Sequence, residues 1–317
     1  MKKRCLGSVF LFTVDTMARA RIVLRNLCYA VLLLAAAGIA YVFPTWRAGT
    51  NHGGQRAVEP FRIAGNLYYV GANDVTSFLL TSPEGHVLID GGYPGTASLI
   101  IASIAKLGFR IRDVKVLLNT HAHFDHAGGL AELQQASGAR LWVSEGDADA
   151  MASGGASPRN MALMNAIVYL RMARFKPPRI DVRFKDGATV RVGTNVLTAH
   201  VTPGHTPGCT SWSFALEDGG RELLAVEQCS LSLVPNALFG KRFDERTRSE
   251  FESSFRTLRA LPADIFLAPH AKLFGMRRKL RERATTADPA ASFIDRSGYL
   301  RYIDEAEAQL RKAYAQQ

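Results

Sequence analysis

Short apolar runs alternate with turn residues from about residue 60 onwards. Residues 66–92, NLYYVGANDVTSFLLTSPEGHVLIDGG, contain β-rich runs separated by glycine and by a Ser-Pro-Glu-Gly turn, a pattern that predicts an antiparallel meander. Strands and helices then alternate. We predict a helix over 97–109, a buried strand over 114–119, a helix over 128–138 and a strand over 140–145.

The second half of the chain follows the same logic without a recognisable repeat. Residues 188–204 and 210–228 read as strand pairs, the latter with a Glu-Asp-Gly-Gly hairpin turn. We predict a helix over 248–261, a strand over 264–270 and a closing helix over 299–314. These elements favour an α/β fold, an αββα sandwich of two mixed β-sheets with helices on both outer faces.

Residues 151–179 interrupt this regularity. A Gly- and Ser-rich stretch precedes a mostly apolar helical pattern at 159–175, and Pro177-Pro178 ends it. One interpretation is a helix packed on the domain. The other is a flap over a cleft, or a helix that lies at a membrane surface.

The N-terminal region has the pattern of an export signal. Residues 27–43 are 17 uncharged residues, and Arg19, Arg21 and Arg25 precede them. Because this length is at the lower limit of a membrane span, a retained anchor is the alternative. We therefore predict a periplasmic protein with a leader at 1–43, a linker at 44–57 and a folded domain at 58–317.

The composition supports a full hydrophobic core and argues against nucleic-acid binding. Hydrophobic residues make up 47% of the 317 positions. The net charge is +11, but the first 40 residues carry six basic side chains against one acidic one. The densest basic run elsewhere, residues 276–283, is typical of a solvated helix face.

Side chains that can bind metals follow several apolar strands. Residues 119–129, NTHAHFDHAGG, come directly after the strand at 114–118, and single histidines lie in TPGHTPG (202–208) and at the end of LAPH (267–270). Imidazole and carboxylate ligands without thiolates suit a catalytic zinc site with a position open for water. The candidate ligands are His121, His123, Asp125, His126, His205 and His270.

Geometry suggests how these ligands divide. We expect His121, His123 and His205 to hold one Zn²⁺, and Asp125, His126 and His270 to hold a second. Two zinc ions sharing a water would bring its pKa towards neutrality, and Asp125 would orient that water and take or relay its proton. The glycines after His126 are expected to let the backbone pass close to the metals.

Two of the four cysteines, Cys209 and Cys229, lie outside the leader in strand-like runs. A disulfide between them is possible, but one pair does not define a framework.

The zinc motif and several further phrases resemble a known family. HAHFDHAGG is similar to the signature of the metallo-β-lactamase fold, and TPGHTPGCTSW, SFRTLRALPADIFLAPH and FIDRSGYLRYIDEAEAQL resemble the third subclass of these enzymes. The resemblance covers roughly residues 58–315. It implies an exported dinuclear zinc enzyme that opens the β-lactam ring of penicillins, cephalosporins and carbapenems, with the six ligands divided as above.

The resemblance also implies a role for residues 225–236, AVEQCSLSLVPN. Many hydrolases of this fold have a metal-bridging aspartate there, but this chain has none. The third subclass has Ser-Leu-Ser, so Ser230 and Ser232 are expected to bind the substrate carboxylate. Cys229 stands where an aspartate is expected. It is either a buried strand cysteine or, after a slip of register, a thiolate near the second zinc.

Three functions follow from this reasoning. The first is zinc-dependent hydrolysis of β-lactams. The second is a dinuclear zinc lactonase or ester hydrolase, for instance of acyl-homoserine lactones, against which the missing aspartate argues. The third is a membrane-tethered protein that binds zinc without turnover, tethered through residues 27–43.

Overall fold

A computed structural model describes residues 21–33, 55–155, 174–233 and 245–316. The chain divides into two units, Met1–Gly53 and Gly54–Gln317. In the first unit, residues 21–33 are helical with exposed side chains. The second unit contains all the strands and helices named below.

Two predicted segments fall largely outside the described residues. Within the described ranges, no helix combines the length and the apolar character needed to cross a bilayer. Most of the apolar run 27–43 and nearly all of the helical pattern 159–175 lie outside those ranges. The membrane tether, the flap and the domain boundary at residue 58 therefore stay predictions.

Seven strands form the first sheet in the order of the chain. The first four pair antiparallel, as the meander predicts, and the fourth to seventh pair parallel. The strands are β1 (Phe61–Ala64), β2 (Leu67–Tyr69), β3 (Phe78–Leu80), β4 (His86–Ile89), β5 (Val114–Leu118), β6 (Arg140–Ser144) and β7 (Val182–Phe184).

Five strands form the second sheet in the order β12-β11-β10-β9-β8. Only β11 and β12 pair parallel; the other pairs are antiparallel. Gly219 and Gly220 form the predicted hairpin turn, both at positive φ, which is the backbone of a type I′ turn. The strands are β8 (Thr189–Val192), β9 (Asn195–Val201), β10 (Thr210–Asp218), β11 (Arg221–Glu227) and β12 (Ile265–Leu267).

The helices predicted over 97–109, 128–138, 248–261 and 299–314 are present with slightly different bounds. Gly138 ends one of them in the left-handed conformation (φ 75°), and Asp295 caps the last by accepting a hydrogen bond from the Gly298 amide. The helices are α1 (Ala97–Lys106), α2 (Phe124–Ala127), α3 (Leu130–Ser137), α4 (Ala148–Ser153), α5 (Glu245–Ala260), α6 (Met276–Arg283) and α7 (Arg296–Ala315), with 3₁₀ turns at Ile111–Asp113 and Ala291–Phe293.

The hydrophobic core lies in two layers. One buried cluster contains Trp212 and Phe214 of β10 together with Tyr69 and Phe78 of the meander. It continues to Phe251, Phe255, Tyr299 and Ile303 of α5 and α7. On the other face of the first sheet, a second cluster packs α1 and α3 onto the parallel strands. In β4 and β5 all side chains except Lys115 are buried, which explains why VLI and VLL are continuous apolar runs. The predicted αββα sandwich is confirmed.

Polar loops gather where the strands end. Parallel strands point their carboxyl ends to one edge of a sheet, so the loops after β4, β5 and β6 meet there. The strands β9, β11 and β12 also run in one direction, and their carboxyl ends carry the loops of His205, Ser230 and His270. The Thr210 amide donates to the Thr120 carbonyl (2.8 Å), which joins the two edges.

The basic run at 276–283 forms helix α6. The sequence predicts a solvated helix face, but one of its basic side chains is buried. Lys279 is buried, with its Nζ 5.7–5.9 Å from the ring centroids of Phe266, Phe274 and Phe293 and 3.2 Å from Asp295. Charge alone did not reveal this, because the long side chain turns inward between three aromatic rings.

Glu227, at the end of β11, is a buried acid. Its side chain is fully buried, and neither carboxyl oxygen has a hydrogen-bond partner among the described residues. Burial, and secondarily the charge of Asp90, raise the pKa of the Glu227 carboxyl well above its usual range. The native protein therefore holds this carboxyl protonated at a pH where the unfolded chain ionises it.

We predict that Glu227→Gln stabilises the chelator-treated protein at neutral pH. A carboxyl whose pKa is higher in the folded state contributes to the free energy of unfolding. This contribution is complete below the unfolded-state pKa of about 4.3 and is lost as pH rises. The neutral amide avoids that loss, so the variant should gain about 1–3 kcal/mol of unfolding free energy at pH 7 and little near pH 4. Urea unfolding at both pH values measures this.

The matched control is Glu222→Gln on the same strand, where the side chain is exposed. An equal gain in the control, or a gain for Glu227→Gln that does not depend on pH, contradicts the assignment.

Candidate metal centre

Asp90 anchors the loop that carries four of the six predicted ligands. Its carboxylate accepts hydrogen bonds from the Thr120 amide (2.7 Å), the Thr120 hydroxyl (2.7 Å) and the Asn119 side chain (2.9 Å). Asp90 is the only described non-glycine residue with positive φ (63°), a conformation that non-glycine residues rarely adopt. We infer that these hydrogen bonds hold the residue in this conformation.

Sequence reasoning missed Asp90. The signal was an acid directly after the wholly apolar strand VLI, followed by two glycines.

The glycines after His126 let the backbone approach the loop after β4 closely, and their predicted role at the metals stays a prediction. A Cβ at Gly129 would lie 2.4 Å from the Gly91 carbonyl oxygen, and one at Gly128 would lie 2.3 Å from the Pro94 nitrogen. Only glycine therefore permits the approach of the α2–α3 junction to the β4 loop.

His121, His123 and His205 form the first cluster. The Nε2 of His205 lies 3.1 Å from the Nδ1 of His123, and the three ring centroids are 4.7–4.8 Å apart. One nitrogen from each ring lies within 4.8 Å of the others, so the three could hold one metal ion.

Burial keeps these rings neutral. It lowers the pKa of His205 to about 3, with a further contribution from His123, and it lowers the pKa of His121 well below its usual range. Neutral imidazole is the form that binds metal, so the first cluster needs no deprotonation before it takes up an ion.

Asp125, His126 and His270 form the second cluster. The Oδ2 of Asp125 lies 3.3 Å from the Nε2 of His126 and 3.6 Å from the Nε2 of His270. The rings of His121 and His126 are 4.3 Å apart, so the two clusters are adjacent. The structure thus brings all six predicted residues together at one edge of the sandwich.

The second cluster holds a proton when no metal is bound. Burial alone lowers the pKa of His126, but the charge and hydrogen bond of Asp125, helped by Asp90, outweigh it and raise the pKa to about 10. Burial likewise opposes ionisation of Asp125, and the charge of His126 reverses this and lowers its pKa. A metal ion must therefore displace this proton.

Two further carboxylates support the outer nitrogens of the second cluster. The Oδ2 of Asp90 lies 3.3 Å from the Nδ1 of His126, and the Oδ2 of Asp74 lies 3.5 Å from the Nδ1 of His270. The contact with His270 is the largest cause of the lowered pKa of Asp74. Carboxylates behind metal-binding histidines fix the ring orientation, and sequence reasoning did not identify either one.

Cys209 and Cys229 form a disulfide that joins the His205 loop to the Ser230 loop. Neither sulfur is therefore available as a thiolate, and the possibility that Cys229 approaches the second zinc is wrong. Its sulfur lies 3.8 Å from the Nδ1 of His121, in the first cluster. The disulfide that the sequence left open is present.

Ser230 and Ser232 lie beside the first cluster. Their hydroxyls are 2.9 Å apart, and the Ser232 hydroxyl is 3.1 Å from the Nδ1 of His205. The Ser232 carbonyl oxygen, at 2.8 Å, accepts the Nδ1 proton of His205, which leaves the Nε2 of that ring free for a metal. Residues 225–233 contribute no carboxylate to either cluster.

Comparison with known proteins agrees with this geometry. Residues 70–219 match the family model of the metallo-beta-lactamase superfamily. The chain is 39% identical to the Rm3 metallo-beta-lactamase. The match covers 83% of this chain and 96% of that protein, with a TM-score of 0.76. The chain belongs to the metallo-beta-lactamase superfamily.

A subclass B3 enzyme of this superfamily, BJP-1 of Bradyrhizobium japonicum, is 32% identical, with 83% of this chain and 96% of that chain covered and a TM-score of 0.72. Among curated sequences, the hydroxyacylglutathione hydrolase of Cereibacter sphaeroides is 29% identical over 171 residues. That match covers 54% of this chain and 52% of the relative, so the chain spans about half of the length of that hydrolase.

We predict opposite protonation of the two clusters in metal-free protein. His126 should stay protonated at pH 8, because its pKa is raised to about 10, whereas His205 should stay neutral at pH 5. Nitrogen-15 NMR of the imidazole rings in chelator-treated protein distinguishes the two forms. Titration of both rings near the ordinary histidine value of about 6.5 contradicts this electrostatic picture.

Proposed function

We propose that this protein is a zinc-dependent hydrolase that opens the β-lactam ring of penicillins, cephalosporins and carbapenems. One observation carries the proposal: six ligands form two adjacent clusters, and residues 225–233 provide two serine hydroxyls and no bridging carboxylate. Similarity to solved metallo-beta-lactamases over nearly their whole length supports it.

The donor set suits zinc at both clusters. The first cluster offers three imidazoles, which lie close enough to hold one ion. The second offers the Asp125 carboxylate with the imidazoles of His126 and His270, whose Nε2 atoms lie 3.3 and 3.6 Å from its Oδ2. These are nitrogen and oxygen ligands that leave coordination positions open. We therefore propose two Zn²⁺ ions per chain, one at each cluster. Zinc held there supplies Lewis acidity, which lowers the pKa of water towards neutrality and polarises a carbonyl group.

The residues of the chain then have separate tasks. Ring opening forms a C–O bond at the lactam carbonyl carbon, breaks its C–N bond and delivers a proton to the nitrogen. Asp125 is kept ionised, so it accepts a hydrogen bond from the attacking water and orients it. The Ser230 and Ser232 hydroxyls can donate to the carboxylate that β-lactam antibiotics carry beside the ring nitrogen.

A second candidate is a thioester, lactone or ester hydrolase on the same scaffold. The match to hydroxyacylglutathione hydrolases favours it. The absence of an aspartate at residues 225–236, where hydrolases of that type place the bridging ligand, argues against it. Under this second candidate function, acyl-homoserine lactones are also expected substrates.

The test is a hydrolysis panel with zinc-loaded protein. We expect turnover of nitrocefin and imipenem, its loss with a chelator and its recovery with Zn²⁺. The His205→Ala variant should lose one ion and nearly all activity, since it removes a ligand of the first cluster. No β-lactam cleavage, together with hydrolysis of S-lactoylglutathione or an acyl-homoserine lactone, would favour the second candidate.

Ser230→Ala separates binding from chemistry. A hydroxyl that holds the substrate carboxylate acts alike in the ground state and the transition state, so its loss should mainly raise KM for imipenem. The expected increase is about 10- to 100-fold, the equivalent of one hydrogen bond to a charged group. A change confined to kcat in steady-state kinetics would show that Ser230 acts on His205 through Ser232, and not on the substrate.

Export to the periplasm is also part of the proposal. The arginine-flanked apolar segment at 27–43 supports it, and β-lactams act outside the cytoplasmic membrane. Fractionation of cells that express the full chain tests it. Protein in the periplasmic extract supports a cleaved leader, protein in washed membranes supports a tether, and protein in the cytosol contradicts export.

A further inference from the structure

The turn between β6 and α4 packs against both loops of the first metal cluster. Asp147, at this turn, is buried with 2% of its surface exposed. Its side chain does not cap its own helix α4. The carboxylate instead reaches across to the loop after β5 and the loop after β9, which belong to different sheets.

Three hydrogen bonds make this connection. The Oδ2 of Asp147 accepts from the Ala122 amide (2.9 Å), which lies between His121 and His123, and from the Thr206 hydroxyl (2.8 Å), next to His205. The Oδ1 accepts from the Gly208 amide (2.8 Å). One carboxylate therefore contacts the chain within one residue of every histidine in the first cluster.

The packing around these bonds leaves little room for movement. The Ser144 hydroxyl donates to the Gly208 carbonyl (2.7 Å), and a Cβ at Gly208 would lie 2.4 Å from the Asp147 amide nitrogen. A Cβ at Gly146 would lie 2.5 Å from the Pro207 carbonyl oxygen. The turn and the His205 loop thus touch through backbone atoms.

We propose that Asp147 is a positioning residue that sets the geometry of the His121, His123 and His205 cluster and so its affinity for metal. This rests on the proposed function only in taking that cluster as a metal site. In the second cluster the outer ring nitrogens of His126 and His270 face Asp90 and Asp74 instead, so we expect this cluster to depend less on Asp147.

The test compares zinc affinity of Asp147→Asn with that of the parent, using competition against a fluorescent chelator. The side-chain amide of the variant places an N–H group against groups that are themselves donors. One of the two Zn²⁺ ions should therefore bind about 10- to 100-fold more weakly, which is typical when a residue that supports a metal ligand is removed. The other ion should keep its affinity within a few-fold.

Asp181→Asn is the matched control. Asp181 also accepts three hydrogen bonds, from the Leu141 amide of β6, from Gln134 of α3 and from Arg179 before β7, and none of these three bonds reaches a metal-ligand loop. The urea midpoints of both variants measure how much each substitution destabilises the fold. If Asp147 only stabilises the fold, the two variants should bind zinc with similar affinity. Equal affinities in the two variants, or equal weakening of both ions in Asp147→Asn, would overturn the proposal.

Double variants identify which ion is affected. Adding Asp147→Asn to His205→Ala, whose first cluster is already broken, should leave the affinity for the remaining ion unchanged. Adding it to His270→Ala should weaken the remaining ion by the same 10- to 100-fold. The opposite pattern would place the effect of Asp147 in the second cluster and contradict the proposal.

Thr206→Val covers the case in which Asp147→Asn does not fold. It removes only the hydroxyl bond, keeps the side-chain shape, and should weaken the same ion by about 3- to 10-fold, the equivalent of one hydrogen bond. No weakening would count against the proposal. Two zinc ions bound by a parent that cleaves no β-lactam would instead contradict the proposed function and leave the role of Asp147 standing.

Discussion

Hydrogen bonds from loop backbone to buried carboxylates are the interactions on which the metal centre depends. Four of the six candidate ligands lie on loops after strands, and Asp125 and His126 lie in the short helix α2 that follows the loop after β5, so the regular hydrogen bonds of the sheets have ended at all six. Asp90 replaces those bonds for the loop after β5, and Asp147 connects that loop to the one after β9. The nitrogens can meet because rigid strands carry the loops and carboxylates fix them.

The same architecture explains the electrostatics of the centre. Five imidazoles and one carboxylate are crowded into a mostly buried edge, where charged imidazole rings would repel one another. The first cluster avoids this because burial keeps its rings neutral. The second cluster pairs His126 with Asp125, so that one positive and one negative charge offset each other until a cation replaces the proton.

Much of the fold could be predicted from the sequence because hydrophobic periodicity and turn chemistry are local. The meander of residues 66–92, the Gly219-Gly220 hairpin and the helix ending at Gly138 each need only nearby residues. Lys279 shows the limit of such reasoning. Its charge predicted exposure, and only the packing of three aromatic rings from other segments shows that it is buried.

The sequence by itself determined the six candidate ligands, because histidines and an aspartate directly after apolar strands form a local pattern that one can read along the chain. Only the tertiary structure decided what holds them: Asp90, Asp74 and Asp147 at the rings and loops, and a disulfide where a thiolate was possible. The physical reason is distance along the chain. These aspartates contact residues that are distant along the chain, 196 residues away for Asp74 and His270, so their supporting role is recognisable only when the sheet edges meet.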